Sequence, residues 1–239
     1  MLLKLVSPLV WAIKKFKYNV SDNHRISYSQ SGEDLIIRQI FTALGLDRIT
    51  YLDLGANHPT RFSNTYLFYS NGSSGVCVEP DPTAQPQFRK WRGRDTLLTC
   101  GVGLEEGEAD FYIMTTNTLS TFSKEEAKRY QGYGSQKITR VVKLPLKPVN
   151  RILEQYFKKC PNLISLDIEG MDFQILQSLD LDKWRPEVFC IETLTYTEDK
   201  TERKLREIID HMQGKDYMVY ADTYINTIFV DRKTWQRRN

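Results

Sequence analysis

The sequence predicts an α/β protein built on a single doubly wound, mostly parallel sheet. Short apolar runs typical of buried strands alternate with stretches of helical apolar spacing in five successive units, and two closely spaced strands close the chain as a hairpin. Several apolar runs end in an acid or a glycine, as strands do at the carboxyl edge of a parallel sheet. At 239 residues the chain is long enough for one such domain with a substantial core.

The chain is organised around the first of these runs, 51–57, where an apolar strand leads into Asp53, Gly55 and Asn57. Gly55 can adopt backbone conformations closed to other residues, so a tight turn is expected there. The next strand, 75–79, ends in Glu79, which is suited to accept hydrogen bonds from ribose hydroxyls. A dinucleotide site has three glycines at the turn and this one has a single glycine, so a nucleoside with a positive group, such as S-adenosylmethionine, fits better than a pyrophosphate.

The other predicted elements follow in order and complete the sheet. Strand three, 96–103, ends in a glycine-flanked turn, and the backbone of Gly101 and Val102 is expected to lie against an adenine. Strand four, 163–170, and strand five, 187–193, again end in acids. Helices are predicted over 35–41, 59–70, 83–91, 149–159, 173–179 and 202–212, and the closing hairpin pairs 216–220 with 226–230.

Four of the predicted strands carry an acid at or near their carboxyl ends: Asp53, Glu79, Asp167 and Glu192. Because the carboxyl ends of parallel strands meet at one edge of a sheet, these side chains are expected to line one crevice. Any one of them alone is as readily explained as a turn or helix-capping acid. The prediction therefore rests on their combination.

A long insertion, 105–148, interrupts the alternation of strands and helices. Strands are predicted at 109–114 and 138–144 because both runs are rich in β-formers. The segment between them contains hydroxyl and aromatic residues and is expected to be a lid or a substrate-selecting loop. Its second part, 124–136, is equally well explained as a solvent-exposed connector.

A polar group lies just before the first predicted helix. Ser31 followed by Asp34 matches a helix-start signature, so simple capping is one explanation. Capping does not account for the nearby Tyr28, Gln30 and Glu33. These three are placed to close over a ligand at the sheet edge.

Composition excludes several classes of protein. Charged residues form 26% of the chain and nearly balance, with a formal net charge of +3, so binding to nucleic acid is not expected. The four cysteines are scattered without a zinc spacing and are expected to be reduced, mostly buried thiols of a cytosolic protein. No metal site is predicted.

The N-terminal segment, 1–25, is predicted to be an extension separate from the main domain, 26–239. Apolar residues recur at helical spacing over 1–20 with lysines among them, but the stretch is too short and interrupted to span a bilayer. An amphipathic helix that packs on the domain or on a second subunit of a homo-oligomer is one interpretation. The other is peripheral association with an anionic membrane, which would put the protein at the inner face of the cytoplasmic membrane.

The motifs resemble those of the FkbM family of S-adenosylmethionine-dependent methyltransferases over about 26–230. The resemblance implies a class I methyltransferase fold, which is Rossmann-like with an antiparallel last strand, and methyl transfer to a hydroxyl. Pro59 departs from the family pattern, in which many members have glycine, and removes a backbone donor there. The matching residues are 28–34 (YSQSGED), 52–58 (LDLGANH), Asn64, Thr65, 78–80 (VEP), 166–170 (LDIEG), Ile191 and Glu192.

Roles in cofactor binding are expected for two groups of residues. From their positions in the sequence, Asp53, Gly55 and Asn57 should meet the amino-acid end of the cofactor and Glu79 its ribose, while Asp81 or the backbone of Gly101 and Val102 should contact the adenine. The resemblance implies that Tyr28, Gln30 and Glu33 also help to bind it. Since the sulfonium is a cation, a crevice lined by carboxylates favours it over the neutral product.

Asp167 and Glu169 are the main candidates for chemistry, and Asp167 also lies near the predicted cofactor site. They leave one strand two residues apart and so point the same way, and one of them could accept the proton of an acceptor hydroxyl. Glu169 could instead cap the helix near Met171, and the pair could hold a divalent ion. His58 is a second candidate base because its pKa suits proton transfer near neutrality, although a lone histidine is more often structural.

The predicted function is O-methylation of a sugar hydroxyl in a cell-surface glycan or its precursor. The family also methylates small natural products, so a small-molecule acceptor is the first alternative. A nucleoside-binding module without chemistry is the second. The sequence does not specify the acceptor.

Overall fold

A computed structural model of the chain describes residues 25–168, 170–198 and 200–238. Ten strands lie in this part of the chain: β1 (Thr50–Leu54), β2 (Ser74–Val78), β3 (Thr96–Leu98), β4 (Gly101–Gly103), β5 (Gly107–Met114), β6 (Ile138–Pro148), β7 (Leu163–Leu166), β8 (Val188–Glu192), β9 (Tyr217–Asp222) and β10 (Asn226–Asp231). The α-helices are α1 (Glu33–Ala43), α2 (Tyr66–Ser70), α3 (Gln85–Trp91), α4 (Lys124–Gly132), α5 (Val149–Tyr156), α6 (Asp172–Ser178), α7 (Arg206–Gly214) and α8 (Arg232–Gln236).

The main sheet has seven strands in the order β3-β2-β1-β7-β8-β10-β9. Pairing is parallel from β3 to β8, whereas β10 runs antiparallel to both of its neighbours. This topology confirms the predicted doubly wound sheet and its antiparallel last strand. The order reverses at β1, because the chain first builds outward to β3 and then continues from β7 on the other side. Such a reversal opens a crevice at the carboxyl edge of the sheet.

The register makes the central strands end level with one another. Leu54 of β1 pairs with Val78 of β2 on one side and with Leu166 of β7 on the other, and Leu166 pairs with Ile191 of β8. The residue after each of these positions therefore lies at the same edge. These residues are Gly55, Glu79, Asp167 and Glu192.

Alternation along β1 divides the core into two layers. Leu52 and Leu54 pack toward α5, α6 and α7, while Tyr51 lies in the other layer with apolar residues of α1, α2 and α3. Because neighbouring strand residues point to opposite faces, Asp53 shares the face of Tyr51. Helices on both faces bury the parallel strands, as this kind of sheet requires.

The predicted third strand, 96–103, is divided between two sheets. Thr96–Leu98 pairs with β2 in the main sheet, but Gly101–Gly103 pairs with β6 in a three-stranded sheet ordered β4-β6-β5. A Cβ atom on Gly101 would collide with the ring of Phe122 and with Leu146, so only glycine lets the chain pass this close to the insertion. The predicted glycine turn is therefore a strand.

Two further elements differ from the prediction. The helix expected over 59–70 is confined to Tyr66–Ser70, because the backbone from Pro59 to Thr65 is held by a buried side chain described below. The segment 124–136, expected to be a lid or a connector, forms α4 over Lys124–Gly132. Ala127 and Tyr130 of this helix are buried against the insertion in a small core of their own.

The N-terminal extension, 1–20, lies outside the described residues, as do all but one residue of the predicted segment 1–25. Among the residues that the structure describes, no helix combines the length and the apolar character needed to cross a membrane.

Candidate functional site

A cavity of about 460 Å³ opens at the carboxyl edge of the main sheet. Its volume is within the range of about 300–1,000 Å³ that is usual for ligand sites. Among the residues predicted to form the site, the following line this cavity: Gln30, Gly55, Asn57, Glu79, Gly101, Val102, Asp167 and Glu192. The acids that end β2, β7 and β8 thus share one cavity, although they are far apart in the sequence.

The turn after β1 depends on Gly55. Its φ is +82°, and a Cβ atom there would collide with the carbonyl oxygen of Asp167. The Gly55 and Ala56 amides both donate to the Val78 carbonyl at 3.0 Å, which fastens the turn to the end of β2. Because glycine has no side chain, the ends of β1, β2 and β7 can approach each other closely beside the cavity.

Glu79 is held rigidly at the end of β2. Its two carboxylate oxygens accept hydrogen bonds from the backbone amides of Asn57 and Asp81, each at 2.7 Å. Burial raises the pKa of Glu79 to about 7, although these two amides lower it. Each oxygen keeps a lone pair that can accept a further hydrogen bond, as a ribose diol would require.

A second cavity of about 240 Å³ adjoins the first and shares Asn57 and Glu79 with it. Asp81 lines this smaller cavity, where its Oδ1 accepts a hydrogen bond from the Thr83 amide at 2.8 Å. His58 also lines it. The structure therefore places Asp81 and His58 beside the main cavity and next to Glu79, rather than in its wall.

The ring of His58 is engaged in several hydrogen bonds. Nδ1 accepts hydrogen bonds from the amides of Thr60 and Arg61 at 3.1 Å, and the ring also hydrogen-bonds Gln87. Burial lowers its pKa, and the charge of Arg61 lowers it further. This geometry favours a role in shaping the turn over a role as a base.

Asp167 and Glu192 form a carboxyl pair in the wall of the main cavity. A side-chain hydrogen bond joins them, and Asp167, which is half-buried, follows directly after β7. Burial raises the pKa of Asp167, the negative charge of Asp172 raises it further, and the hydrogen bond to Glu192 opposes the shift. The pair is thus able to hold a proton near neutral pH.

The loop after β7 is fixed by Asp172. Its carboxylate accepts hydrogen bonds from the amides of Ile168 at 2.9 Å and Gly170 at 3.3 Å. Met171 is the N-cap residue of α6, and its side chain makes no capping hydrogen bond. Glu169, the second predicted catalytic acid, lies outside the described residues, so its predicted role in catalysis or in capping stays a prediction.

Asp53 lies behind the cavity wall. Its Oδ2 accepts a hydrogen bond from Thr65 Oγ1 at 2.5 Å, and it faces the buried Arg92. Burial raises the pKa of Asp53, while Thr65 and Arg92 lower it. The structure thus places this acid in a buried polar network, not in the cavity wall where direct contact with a ligand was predicted.

The centre of that network is Arg92, only 2% of which is exposed. Its Nε donates to Asp95 Oδ2 at 2.6 Å, and its Nη atoms donate to Thr65 Oγ1 at 2.9 Å and to the Pro59 carbonyl at 3.0 Å. Arg92 therefore fixes the loop from His58 to Thr65. Pro59 serves this network through its carbonyl oxygen, which proline retains.

Of the polar residues before α1, one lines the cavity and the others hold the loop that carries it in place. Gln30 lines the cavity, whereas Glu33 accepts hydrogen bonds from Ser31 N at 2.8 Å, Thr223 Oγ1 at 2.7 Å and Asn226 Nδ2 at 3.0 Å. These bonds lower the pKa of Glu33, although burial opposes them. Glu33 thus ties the Gln30 loop to the β9–β10 turn.

Tyr28 and Asp34 support the same loop from the other side. The Tyr28 carbonyl accepts the Ser63 amide at 2.9 Å, and its ring meets that of Tyr66 edge-on at 4.7 Å. Asp34 accepts hydrogen bonds from Ser27, Ser29 and the Tyr28 amide. The N-cap of α1 is Gly32, without a side-chain capping bond, so the predicted Ser31–Asp34 capping pair is wrong.

Several cavity residues had no signal in the sequence. They come from the segment after β8 and from two turns, and they are Phe62, Thr195, Tyr196, Thr197, Glu202 and Tyr224. The insertion was predicted to contribute, and its residues 117–122 do line the cavity. Nothing in the local sequence marks Phe62 or Tyr224, because their positions depend on how distant loops pack.

No group of three or more metal-ligating side chains exists within 25–168, 170–198 and 200–238. The four cysteines are all free thiols, and three of them are buried. Cys100 contributes to the cavity wall beside Gly101 and Val102, where burial raises its pKa.

Comparison with solved structures finds distant likenesses. The 1,6-didemethyltoxoflavin-N1-methyltransferase of Burkholderia thailandensis, determined with 1,6-didemethyltoxoflavin and S-adenosylhomocysteine, is 11% identical, covering 94% of this chain and 86% of that chain with a TM-score of 0.41. Precorrin-6y C5,15-methyltransferase of Geobacter metallireducens is 13% identical, covering 88% and 94% with a TM-score of 0.43. An O-methyltransferase of Bacillus cereus, in complex with S-adenosylhomocysteine, is 10% identical, covering 96% and 93% with a TM-score of 0.41. Likenesses this distant say nothing about the substrate of this chain.

A comparison with curated proteins finds no significant match. A family model described as "Methyltransferase FkbM domain" matches residues 53–219, which is most of the chain and includes Asp53 and Leu54 of β1 and all of β2, β7 and β8 with the acids at their ends. The chain therefore belongs to the FkbM family of methyltransferases, and it is an S-adenosylmethionine-dependent methyltransferase.

Proposed function

We propose that the protein transfers the methyl group of S-adenosylmethionine to a hydroxyl of a sugar in a cell-surface glycan or its precursor. The observation that carries the proposal is the Asp167–Glu192 carboxyl pair, which lies in the same cavity as the Gly55 turn and Glu79. A hydroxyl acceptor must lose a proton when it is methylated. A half-buried carboxyl pair beside the proposed cofactor residues can receive that proton.

The residues present fit the cofactor. Glu79 has free lone pairs on two anchored oxygens for a ribose diol, and the Gly55 turn, which has no room for a side chain, brings backbone to the cavity wall. Gly101 and Val102 provide the backbone wall against which an adenine would lie. When bound, S-adenosylmethionine supplies a methyl group on a cationic sulfonium, which the carboxylates of the cavity favour over the neutral product.

Asp167 and Glu192 are assigned the proton transfer. A general base works best when its pKa lies near the operating pH, and burial moves the pKa of Asp167 upward in that direction. The acceptor proton passes to a carboxylate oxygen of Asp167, and the hydrogen bond to Glu192 stabilises the charge distribution before and after the transfer. Glu192 thus joins the predicted catalytic group, with Asp167 as the base.

The acceptor half of the cavity supports a polyhydroxylated substrate. Beyond the carboxyl pair, the wall offers the hydroxyl side chains of Thr195, Thr197 and Ser120 and the carboxylate of Glu202. These groups exchange hydrogen bonds readily with sugar hydroxyls. A large apolar natural product would make no use of these polar groups, which are only half-buried.

The test offers radiolabelled S-adenosylmethionine and the full-length protein to three fractions: surface glycans, nucleotide-sugar or lipid-linked precursors, and small hydroxylated natural products. We expect an alkali-stable label in one of the first two fractions, as a methyl ether would give. Label confined to the natural-product fraction would refute the sugar acceptor while leaving methyl transfer intact.

The role of the base is tested with Asp167→Asn. We expect turnover to fall by about 10²- to 10⁴-fold, which is the usual contribution of general base catalysis, with little change in affinity for S-adenosylhomocysteine. Asp110→Asn is the matched control, because Asp110 is exposed on β5 and is not among the residues that line the cavity. Equal turnover in Asp167→Asn and wild type would refute the assignment.

A membrane-associated acceptor would agree with the basic amphipathic segment 1–20, and we extend the proposal to peripheral association of a cytoplasmic enzyme with the inner membrane face. Flotation with anionic liposomes compares the full chain with a chain lacking 1–20. Equal flotation of the two proteins contradicts this part of the proposal, and light scattering of the same two proteins tests whether 1–20 instead joins subunits.

A further inference from the structure

The turn between β9 and β10 presents an aromatic ring at the mouth of the main cavity. Tyr224 lines the cavity, yet 60% of its surface is exposed. Its φ is +76°, a conformation that a residue with a bulky side chain rarely adopts. Such strain persists only where the surrounding structure holds it, and it is concentrated at ligand sites.

Among the described residues, those with a strained backbone lie mostly in the wall of the main cavity. Positive φ values occur at five non-glycine residues, of which Asn57, Phe62, Lys200 and Tyr224 line the main cavity and only Asp216 does not. Positive-φ residues scattered at random over the surface would not be concentrated around one cavity in this way. The conformation of Tyr224 is therefore part of the construction of the site.

The turn that carries Tyr224 is fastened from several sides. The Tyr224 amide donates to Asp222 Oδ1 at 2.8 Å, and Lys204 Nζ donates to the Tyr224 carbonyl at 2.7 Å. Thr223 Oγ1 donates to Glu33 Oε1 at 2.7 Å, which joins the turn to the Gln30 loop. These bonds hold the strained backbone in place and couple it to the cofactor side of the cavity.

The ring itself is oriented at its far end. The Tyr224 hydroxyl donates to Glu202 Oε1 at 2.8 Å, and both residues line the cavity. A tyrosine fixed at the backbone and at the hydroxyl loses little conformational freedom when a ligand binds, so it can contribute more of its contact energy to affinity. Its exposed face is apolar, and its edge is next to a carboxylate.

These features specify the chemistry of a ligand. An exposed aromatic face at a cavity mouth marks a binding surface, and the face of a sugar ring, which carries C–H bonds, can pack against it. The edge of the same sugar carries hydroxyls, which Glu202 and Thr197 can bind. A flat phenolic molecule would use the aromatic face but offers few hydroxyls to the polar groups beside it.

We propose that Tyr224 and Glu202 form an acceptor subsite at the cavity mouth that binds the sugar ring adjacent to the one being methylated. This inference rests on the proposed sugar acceptor and deepens it. It implies that the enzyme prefers an acceptor of at least two linked sugars over a monosaccharide. Specificity for the neighbouring sugar is then separate from the chemistry at Asp167.

The test measures binding of sugar probes to the full-length protein saturated with S-adenosylhomocysteine, by saturation-transfer NMR. The probes are methyl glycosides of glucose, mannose, galactose and rhamnose, their disaccharides, and caffeic acid as a flat phenol. Wild type should bind at least one disaccharide more tightly than its monosaccharide. Tyr224→Leu should bind that disaccharide about tenfold more weakly, and Tyr224→Phe should keep most of the affinity because the ring remains.

Two controls make the result specific. Trp91→Leu removes another exposed aromatic, 49% exposed on α3 and outside the cavity wall, and should leave disaccharide binding unchanged. Affinity for S-adenosylhomocysteine, measured by calorimetry, should be the same in Tyr224→Leu and wild type, which shows that the variant is folded.

The outcomes separate the two proposals. If wild type binds S-adenosylhomocysteine but no sugar probe, the sugar acceptor fails and the subsite fails with it. If sugars bind and Tyr224→Leu binds them as tightly as wild type, only the subsite is overturned. Binding of caffeic acid alone would overturn the sugar subsite in favour of a phenolic acceptor.

Discussion

Replacing Glu79 by glutamine tests the cofactor site most directly. The carboxylate accepts the Asn57 amide through one oxygen and the Asp81 amide through the other, both at 2.7 Å. A glutamine has one acceptor oxygen, so its NH₂ group must face one of the two backbone donors. The same substitution removes the charged acceptor expected to meet the ribose diol.

The size of the effect follows from these contacts. A hydrogen bond to a charged group contributes about 1.5–3 kcal/mol, which corresponds to a factor of about 10–150 in affinity. We therefore expect Glu79→Gln to weaken binding of S-adenosylhomocysteine, measured by calorimetry at pH 8, by about that factor. Glu108→Gln, an exposed acid on β5, is the control and should bind like wild type. Binding of Glu79→Gln within about twofold of wild type would refute the assignment of Glu79 to the ribose.

The pH dependence of S-adenosylhomocysteine binding is a second test of the contact between Glu79 and the ribose. Burial raises the pKa of Glu79 from 4.5 to about 7 in the free protein, while a ribose diol binds to the ionised form. Affinity should be full above pH 7 and should fall by up to about tenfold per pH unit below it. Glutamine does not titrate, so this fall in affinity should be missing from Glu79→Gln. A plot of affinity for S-adenosylhomocysteine against pH should therefore be steeper for wild type than for Glu79→Gln between pH 5.5 and 7.

The stability of the free protein should respond in the opposite direction. Between about pH 4.5 and 7 the folded protein keeps a proton on Glu79 that the unfolded chain has lost. The contribution of Glu79 to the free energy of unfolding should therefore fall by about 3 kcal/mol as the pH rises through that window. The difference between wild type and Glu79→Gln in urea unfolding isolates this contribution from those of the other acids.

Three further substitutions test the supports of the site. Gly55→Ala should abolish binding of S-adenosylhomocysteine or prevent folding, because a Cβ atom meets the Asp167 carbonyl; calorimetry and circular dichroism measure this, and near-normal binding would contradict the close approach. Arg92→Met should lower the free energy of unfolding by about 3–5 kcal/mol, because it leaves Asp95 buried without its partner; a loss below about 1 kcal/mol in urea unfolding would contradict that role. His58→Gln should keep turnover within about tenfold of wild type, because Nδ1 of the ring serves the turn, whereas a loss of the size expected for a general base would make His58 the base.

The sequence predicted the order of strands and helices well because that information is local. The apolar run before Gly55 and the acids that end β2 and β7 lie on the chain where the sheet edge needs them, and parallel pairing brings such residues together whatever the loops do. The same reasoning predicted Glu192, whose hydrogen bond to Asp167 required the structure. The confirmed fold and family both trace to this pattern.

Side-chain direction was harder to predict, and Asp53 shows why. An acid in a strand that enters a ligand turn is a natural candidate for the site, but Asp53 shares the face of Tyr51 and lies against Arg92. Because Leu52 and Leu54 share one face of β1, the sequence already implied that Asp53 points to the other face. What the sequence did not show was that an arginine 39 positions later would be buried there and would need partners.

The sequence by itself determined a doubly wound sheet and the carboxyl edge of that sheet, marked by Gly55, Glu79 and Asp167. These follow from hydrophobic periodicity and from the conformational freedom of glycine, which act over a few residues. Only the tertiary structure decided which side chains face the cavity, and that Glu33 would join the Gln30 loop to the turn bearing Tyr224. Those contacts join residues almost 200 positions apart, from Glu33 to Asn226, and no local pattern encodes them because each depends on packing that forms only when the whole sheet has closed.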